Sequence, residues 1–313
     1  MIASFKPVED RQTDRLTETR IQQPPKTFSI PSSLVEVDLA ARSHIGIVRE
    51  QNEDHYLAIR AERHLEGMLS SLPKDLLQHT YSETAYGMCV ADGIGGMPAG
   101  GLASSLALLK LIDLVVKTPD WIMRMNRRKT AIVKKRMIDR FRQIDASLRE
   151  RGQRDPRLAG MGTTLTVALS IGDELFIGHL GDSRAYLLRG NELRQLTRDH
   201  TLAQAMIEAG VATEDDETVQ KMRRVLTAAV GSTVQPTDPD VQRIKLQHED
   251  QLLLATDGLT ENLDSQAIGQ ILSSSNSSDE ACGVLIDEAL ASESTDNITV
   301  VLARYRFPQS SSQ

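Results

Sequence analysis

Nine short runs rich in Val, Ile, Leu and Thr most constrain the fold of this chain, at 44–49, 56–60, 86–91, 163–169, 174–180, 184–188, 241–246, 251–255 and 298–304. Turn residues separate them, so each reads as a β-strand. In TTLTVAL, Leu165, Val167 and Leu169 alternate with Thr164, Thr166 and Ala168, the two-residue period of a half-buried strand. Helical periodicity is confined to two blocks. One is a long pair, 100–116 and 127–149, set between strands; the other is C-terminal, 265–272 and 279–291, with a capping-box pattern from Ser277 to Glu280. Many strands with helices segregated in two blocks predict an α+β layered fold, not alternating βαβ units. Residues 200–240 read as helix and irregular loop, a separate flap.

The chain has 313 residues, 40% hydrophobic and 25% charged, the balance of a soluble globular protein. No stretch approaches the roughly 18 apolar residues that would span a bilayer. Charges fill the N-terminus (MIASFKPVEDRQTDR) where a signal peptide needs an apolar core. A cytoplasmic protein without a membrane partner is therefore expected. Cys89 and Cys282 lie in apolar contexts and read as two core thiols. A net charge of −7 speaks against nucleic acid as a partner. Residues 120–154 hold 12 Lys/Arg against 4 Asp/Glu, with Ile132, Val133, Met137, Ile138 and Phe141 at helical spacing. That basic excess reads as the solvated face of an amphipathic helix. Proline and polar residues predict a mostly disordered tail over 1–37, one domain over 38–306 and a short tail over 307–313.

The aspartates are placed unusually. Asp92 follows the run ending at Ala91, Asp182 follows Gly181, Asp257 follows Thr256, and Asp296 stands just before the run starting at Ile298. Taken singly, each has a local explanation: Asp-Gly is a hairpin signal, and Asp before a strand is a common turn residue. Together with the adjacent pair Glu53-Asp54 they describe a set of carboxylates at strand ends, which a cation would have to hold together. All-oxygen ligands select Mg²⁺, Mn²⁺ or Ca²⁺ over zinc, and no HExxH or paired Cys/His spacing argues otherwise. Two such ions can share and acidify a water for attack on phosphorus. Arg49, four residues before Glu53, has the planar fork for a phosphate, although an arginine beside carboxylates also makes plain salt bridges.

In order, GIVREQNEDHY (46–56), VADGIGG (90–96), GMGTTLTVAL (160–169), HLGDSRAYLL (179–188), LTRDHTLA (196–203), LTAAVGS (226–232), LLLATDGLTENL (252–263) and STDNITVV (294–301) resemble the metal-dependent protein phosphatases, the type 2C serine/threonine phosphatases, in their bacterial form. The resemblance implies a four-layer αββα sandwich of two antiparallel sheets flanked by helical pairs, with a metal cleft at one end. It implies two Mn²⁺ or Mg²⁺ ions, with room for a third. Asp92 would bridge both; Asp257 and Asp296 would complete one site; the Gly93 carbonyl and Glu53 would complete the other. Asp54 would act through water or behind the ligands, Asp182 with Asp257 would hold the third ion, Arg49 would bind phosphate, and Asn297 would support the site. The implied partners are phosphoserine and phosphothreonine proteins, a kinase or its targets among them, met by a monomeric enzyme.

The sequence departs from the pattern in places. Ile94 stands where some relatives carry a histidine proposed as general acid, and Ala228 where relatives often place arginine. The stretch 61–85 is longer than the usual connection and is expected to be a surface excursion. A cysteine phosphatase fails, since Gly95 and Glu288 stand six residues after the cysteines where arginine is needed. No Lys-Ser/Thr follows the glycines of 93–101, and no GxSxG elbow occurs. His200 is expected to shape the flap, His179 to be a sheet residue, and Ser183 and Arg184 to be structural. The rival from another class is a catalytically silent, metal-binding regulatory module of the same fold.

Overall fold

The protein, seen in a computed structural model, is described over residues 32–69, 71, 80–96, 99–118, 127–213, 215–232 and 237–308. Most of the expected tails, 1–31 and 309–313, lies outside the described residues. The chain starts with β1 (Glu36–His44), β2 (His55–Glu66), β3 (Thr80–Ala91) and the short β4 (Gly93–Ile94). The helical pair α1 (Ala99–Val116) and α2 (Arg127–Arg154) follows, then β5 (Gly162–Thr163), β6 (Leu165–Ile171), β7 (Glu174–Leu180), β8 (Arg184–Arg189) and β9 (Glu192–Gln195). Two short helices, α3 (Leu202–Glu208) and α4 (Glu217–Met222), occupy the expected flap. β10 (Asp240–Lys245), β11 (Gln251–Ala255), α5 (Asp257–Thr260), α6 (Ser265–Ser274), α7 (Ser278–Ala291) and β12 (Ile298–Arg306) complete the chain.

Two five-stranded sheets form, ordered β1-β12-β11-β8-β9 and β10-β7-β6-β3-β2, and every pairing within them is antiparallel. Three apolar clusters stack the layers. One joins α1 and α2 to the outer face of the second sheet through Ala103, Ala107, Phe141, Ile144, Leu165 and Val167. A second lies between the sheets, where Met88, Val90, Ile177, Leu252, Leu254 and Tyr305 meet. The third packs α6 and α7 on the first sheet through Leu253, Ile268, Leu285 and Val300. The αββα order is thus present in full.

Several local expectations change. The run 45–49 is a loop, and the first strand lies before it and ends at His44, pairing along β12 from Glu36↔Arg306 to His44↔Ile298. β6 is buried on both faces, not half-buried: Val167 faces the helices and Ala168 the opposing sheet. Within the 61–85 stretch, 61–66 and 80–85 prolong the β2–β3 hairpin, paired from His55↔Ala91 out to Glu66↔Thr80, and most of the residues between lie outside the described residues. α1 has a mean hydropathy of 1.7 over 18 residues, long and apolar enough by composition to span a bilayer. One face, with Ala103, Ala107, Leu108 and Leu111, is buried against α2 and the sheet, while Leu109 and Val116 are exposed. In α2 the basic excess is indeed the outer face, opposite buried Val133, Met137, Phe141, Ile144 and Leu148. Cys89 and Cys282 are buried free thiols, each pushed up to about 12 chiefly by burial.

Candidate metal centre

Strand register gathers the carboxylates at one end of the sandwich. Ala91, just before Asp92, pairs with His55, just after Glu53-Asp54. Ala255, two residues before Asp257, pairs with both Arg184 and Val300, so the start of β8 and the start of β12 meet at the same end. Leu180 closes β7 opposite Leu165, which places the Gly181-Asp182 turn beside Thr164, next to Asp92. Six acidic residues far apart in sequence therefore share one edge because antiparallel pairing brings strand ends together.

Small polar groups pin the turns that carry them. The Asp92 N–H donates to Thr164 Oγ1 at 2.9 Å, and its carbonyl accepts from Thr164 N–H at 2.9 Å and Thr163 Oγ1 at 2.7 Å. Asp54 accepts from Thr256 Oγ1 at 2.8 Å. Ser104 of α1 donates to the Glu53 carbonyl at 2.6 Å. Asn297 is the main staple: its Oδ1 accepts from Glu53 N–H at 2.8 Å, while its Nδ2 donates to the carbonyls of Ile45 at 2.8 Å and Gln51 at 3.0 Å. This ties the whole Arg49–Glu53 loop to the Asp296 turn. Gly93 is required by close approach, since a Cβ there would lie 2.3 Å from the Gly100 carbonyl oxygen and 2.9 Å from that of Glu53. Gly100 in turn lies against the Glu53 carboxylate, 2.8 Å from where a Cβ would be to Oε1.

The electrostatics are those of carboxylates crowded away from water. Burial is the first cause in each of four cases. It raises Asp92 well above the carboxylate range, helped by the charges of Asp54, Asp257, Asp182 and Asp296. Asp182 is raised likewise, with Asp257 and Asp199 adding to it. Asp54 is pushed up to about 8 and Asp257 to about 7, the latter within hydrogen-bonding reach of Asp92. Glu53 Oε1, Asp54 Oδ1 and Asp257 Oδ1 are buried with no hydrogen-bond partner. Unpaired buried acceptors cost free energy unless something binds them, and oxygen donors of this charge suit hard cations. Among the described residues no three acidic, imidazole or thiol groups stand close enough to hold one ion, so the carboxylates share one end of the sandwich without already closing on a point. Donor chemistry and unpaired atoms both fit Mn²⁺ or Mg²⁺.

The cation facing the carboxylates is Arg49, about half exposed, 2.6 Å from Asp296 Oδ2. Its guanidinium is raised first by that hydrogen bond and also by the charges of Glu53 and Asp92. Ile94 pairs with Gly162 in the small β4–β5 sheet and offers no proton. Ala228 is buried with Leu148 and Val230 under α2, so it makes no contact an arginine would. Arg224, four residues earlier, carries no signal in the sequence. It forks onto Glu261 at 3.0 and 2.6 Å, and the charges of Asp257 and Asp296 reach it. Ser183 bonds Thr164 at 2.7 Å, and Arg184 holds Asp199 by contacts of 2.6–3.0 Å.

The family model described as Protein phosphatase 2C matches residues 71–291. The serine/threonine phosphatase stp of Listeria welshimeri is 32% identical over 225 residues, 70% of this chain and 84% of that protein. The serine/threonine protein phosphatase PstP of Mycobacterium tuberculosis is 31% identical over 272 residues, 84% of this chain but 44% of that protein. Among solved structures, the catalytic domain of a PstP in complex with two manganese ions superposes with a TM-score of 0.67 at 28% identity, covering 87% of this chain and 99% of that one. Family model, relatives and fold agree, and the chain belongs to the protein phosphatase 2C family.

Proposed function

We propose that the chain is a metal-dependent serine/threonine protein phosphatase whose hydrolytic site is the group of Glu53, Asp54, Asp92, Asp182, Asp257 and Asp296, with the Gly93 carbonyl. The observation that carries this reading is the trio of unpaired, buried carboxylate oxygens on Glu53, Asp54 and Asp257 in one cleft. Two divalent cations, when bound, would acidify a shared water and neutralise phosphoryl charge. Asp92 and Asp257 supply the buried negative charge nearest the centre, and Asn297 fixes the loop that presents Glu53. Arg49 is the group to orient the phosphate: it is half exposed, and its fork can exchange Asp296 for phosphoryl oxygens. The catalytic unit is 38–306, with residues 200–240 as flap. The substrate is a phosphoserine or phosphothreonine protein, a serine/threonine kinase or its target, met in the cytoplasm by a monomer. A silent module draws no support from a chain that keeps every expected carboxylate.

The test is Mn²⁺-dependent hydrolysis of an aryl phosphate and of a phosphothreonine peptide, with Asp257→Asn alongside. Chelator-sensitive turnover is expected in the wild type and almost none in the variant. Equal turnover in both would refute the site, and tight Mn²⁺ binding without any turnover would favour the silent module.

A further inference from the structure

The turn carrying Asp182 is held from outside its own sheet. Gly181 has φ +120°, and a Cβ there would meet the Thr164 side chain at 2.6 Å, so this position has no side chain with which to anchor itself. Its backbone is instead paired with His200 at the root of the flap. The Gly181 N–H donates to His200 Nδ1 at 3.0 Å, and the His200 N–H donates back to the Gly181 carbonyl at 2.7 Å. Because Nδ1 accepts, the ring proton sits on Nε2, which donates to Asp240 Oδ2 at 3.2 Å. The ring plane is set by stacking on His179, with centroids 5.0 Å apart and planes 17° from parallel. His179 is itself fixed by Thr166 Oγ1 at 2.9 Å and the Arg198 carbonyl at 3.0 Å. The His200 carbonyl accepts from Thr227 N–H at 2.8 Å, on the returning limb of the flap. One residue thus joins both limbs of the flap to the Asp182 turn.

We infer that His200 is a positioning residue: through Gly181 it fixes where the Asp182 carboxylate stands and couples that place to the flap. It touches neither substrate nor reacting atoms. This rests on the proposed role of Asp182 in the site, and the two ideas fail separately in the test below. A histidine that merely filled space would be replaced equally well by any side chain of similar size. The hydrogen-bond pattern demands more. Asparagine places its amide oxygen where Nδ1 stands and can still accept from Gly181, whereas glutamine reaches the Nε2 position and cannot.

The experiment compares wild type, His200→Asn, His200→Gln and Asp182→Asn. Amide hydrogen exchange at Gly181 is followed in the metal-free protein, and kcat and KM on a phosphothreonine peptide are measured with Mn²⁺. Melting temperature serves as a folding control. In His200→Gln, the Gly181 amide is expected to exchange about tenfold faster or more. Its kcat should fall about tenfold while KM stays within about threefold, the size of effect usual for a group that orients a ligand. His200→Asn should stay within about threefold of wild type in both readouts. Wild-type exchange at Gly181 in His200→Gln would overturn the inference, as would a His200→Asn variant as impaired as the glutamine one. Asp182→Asn with wild-type kcat and KM would remove Asp182 from the working site, while Gly181 exchange would still decide the role of His200.

Discussion

Two ends of the same sandwich treat buried carboxylates in opposite ways. At the end away from the cleft, Asp250 is fully buried and fully paired. Arg189 forks onto it at 2.9 and 2.7 Å, and the Gln247 N–H donates to it at 2.8 Å. At the cleft, Asp54 is buried and Asp257 partly so, yet each keeps a buried oxygen with no partner, and Arg49 reaches only Asp296. Burying a charge requires a compensating charge or hydrogen bonds. The chain supplies its own at Asp250 and withholds it at the cleft. The difference separates a carboxylate paired within the fold from carboxylates that the proposed function assigns to ions from solution.

Removing charge at each end sharpens that contrast. The largest effect is expected at the cleft: Asp92→Asn should lower Mn²⁺-dependent kcat about 100-fold or more, since it removes the carboxylate nearest the centre. The same variant, metal-free at pH 8, should melt at or above the wild-type temperature, because crowding among Asp54, Asp92, Asp182 and Asp257 is relieved. A clear fall in melting temperature would break the comparison. At the other end the sign reverses. Arg189→Ala should cost about 2–3 kcal/mol, below the 3–5 of a fully buried pair because Arg189 is 38% exposed. Calorimetry should register that as a loss of several degrees, with kcat little changed.

pH offers a third test. Burial pushes Asp54 up to about 8 and Asp257 up to about 7, from an ordinary carboxylate value of 3.8, so the native state holds more protons over that window. Stability of the metal-free protein should therefore be fullest below about pH 4 as far as these groups are concerned, and should decline as pH rises towards 8. Thermal melts in chelator at pH 5.5 and 8 check this: a higher melting point at pH 8 contradicts it. Added Mn²⁺ should raise the melting point more at pH 8, where the ligands are ionised. The smallest effect is assigned to Asn297→Ala. It deletes two hydrogen bonds to the Arg49–Glu53 loop and one to Ile45, and should cost about 1–3 kcal/mol with about a tenfold loss of kcat.

The carboxylates were legible because each abuts an apolar run, and the layers because helices fall in two blocks. β1 escaped although Val37, Leu39 and Ala41 alternate with Glu36, Asp38 and Arg42 and pack between the sheets, because Ala40 and Ala41 blur that short period and the strand is ordered by pairing along β12 at a sheet edge. β9, with sequence ELRQ, is likewise ordered at a sheet edge. Thr163, Thr164, Thr256 and Ser104 look like ordinary strand and helix residues, and their roles come from distant partners. Thr256 caps Asp54 from 202 positions away. Arg49 and Asp296, 247 positions apart, meet only because β1 lies along β12 and Asn297 draws the loop after β1 against the turn before β12. Such pairings have no local signal in one sequence.

The most direct measurement is Mn²⁺ titration calorimetry at pH 8 on wild type and Asp92→Asn. Wild-type protein should take up at least two ions, and loss of the central carboxylate should abolish or sharply weaken that uptake. Identical isotherms for the two proteins would mean that the cleft does not hold the metals, and the unpaired oxygens of Glu53, Asp54 and Asp257 would need another explanation.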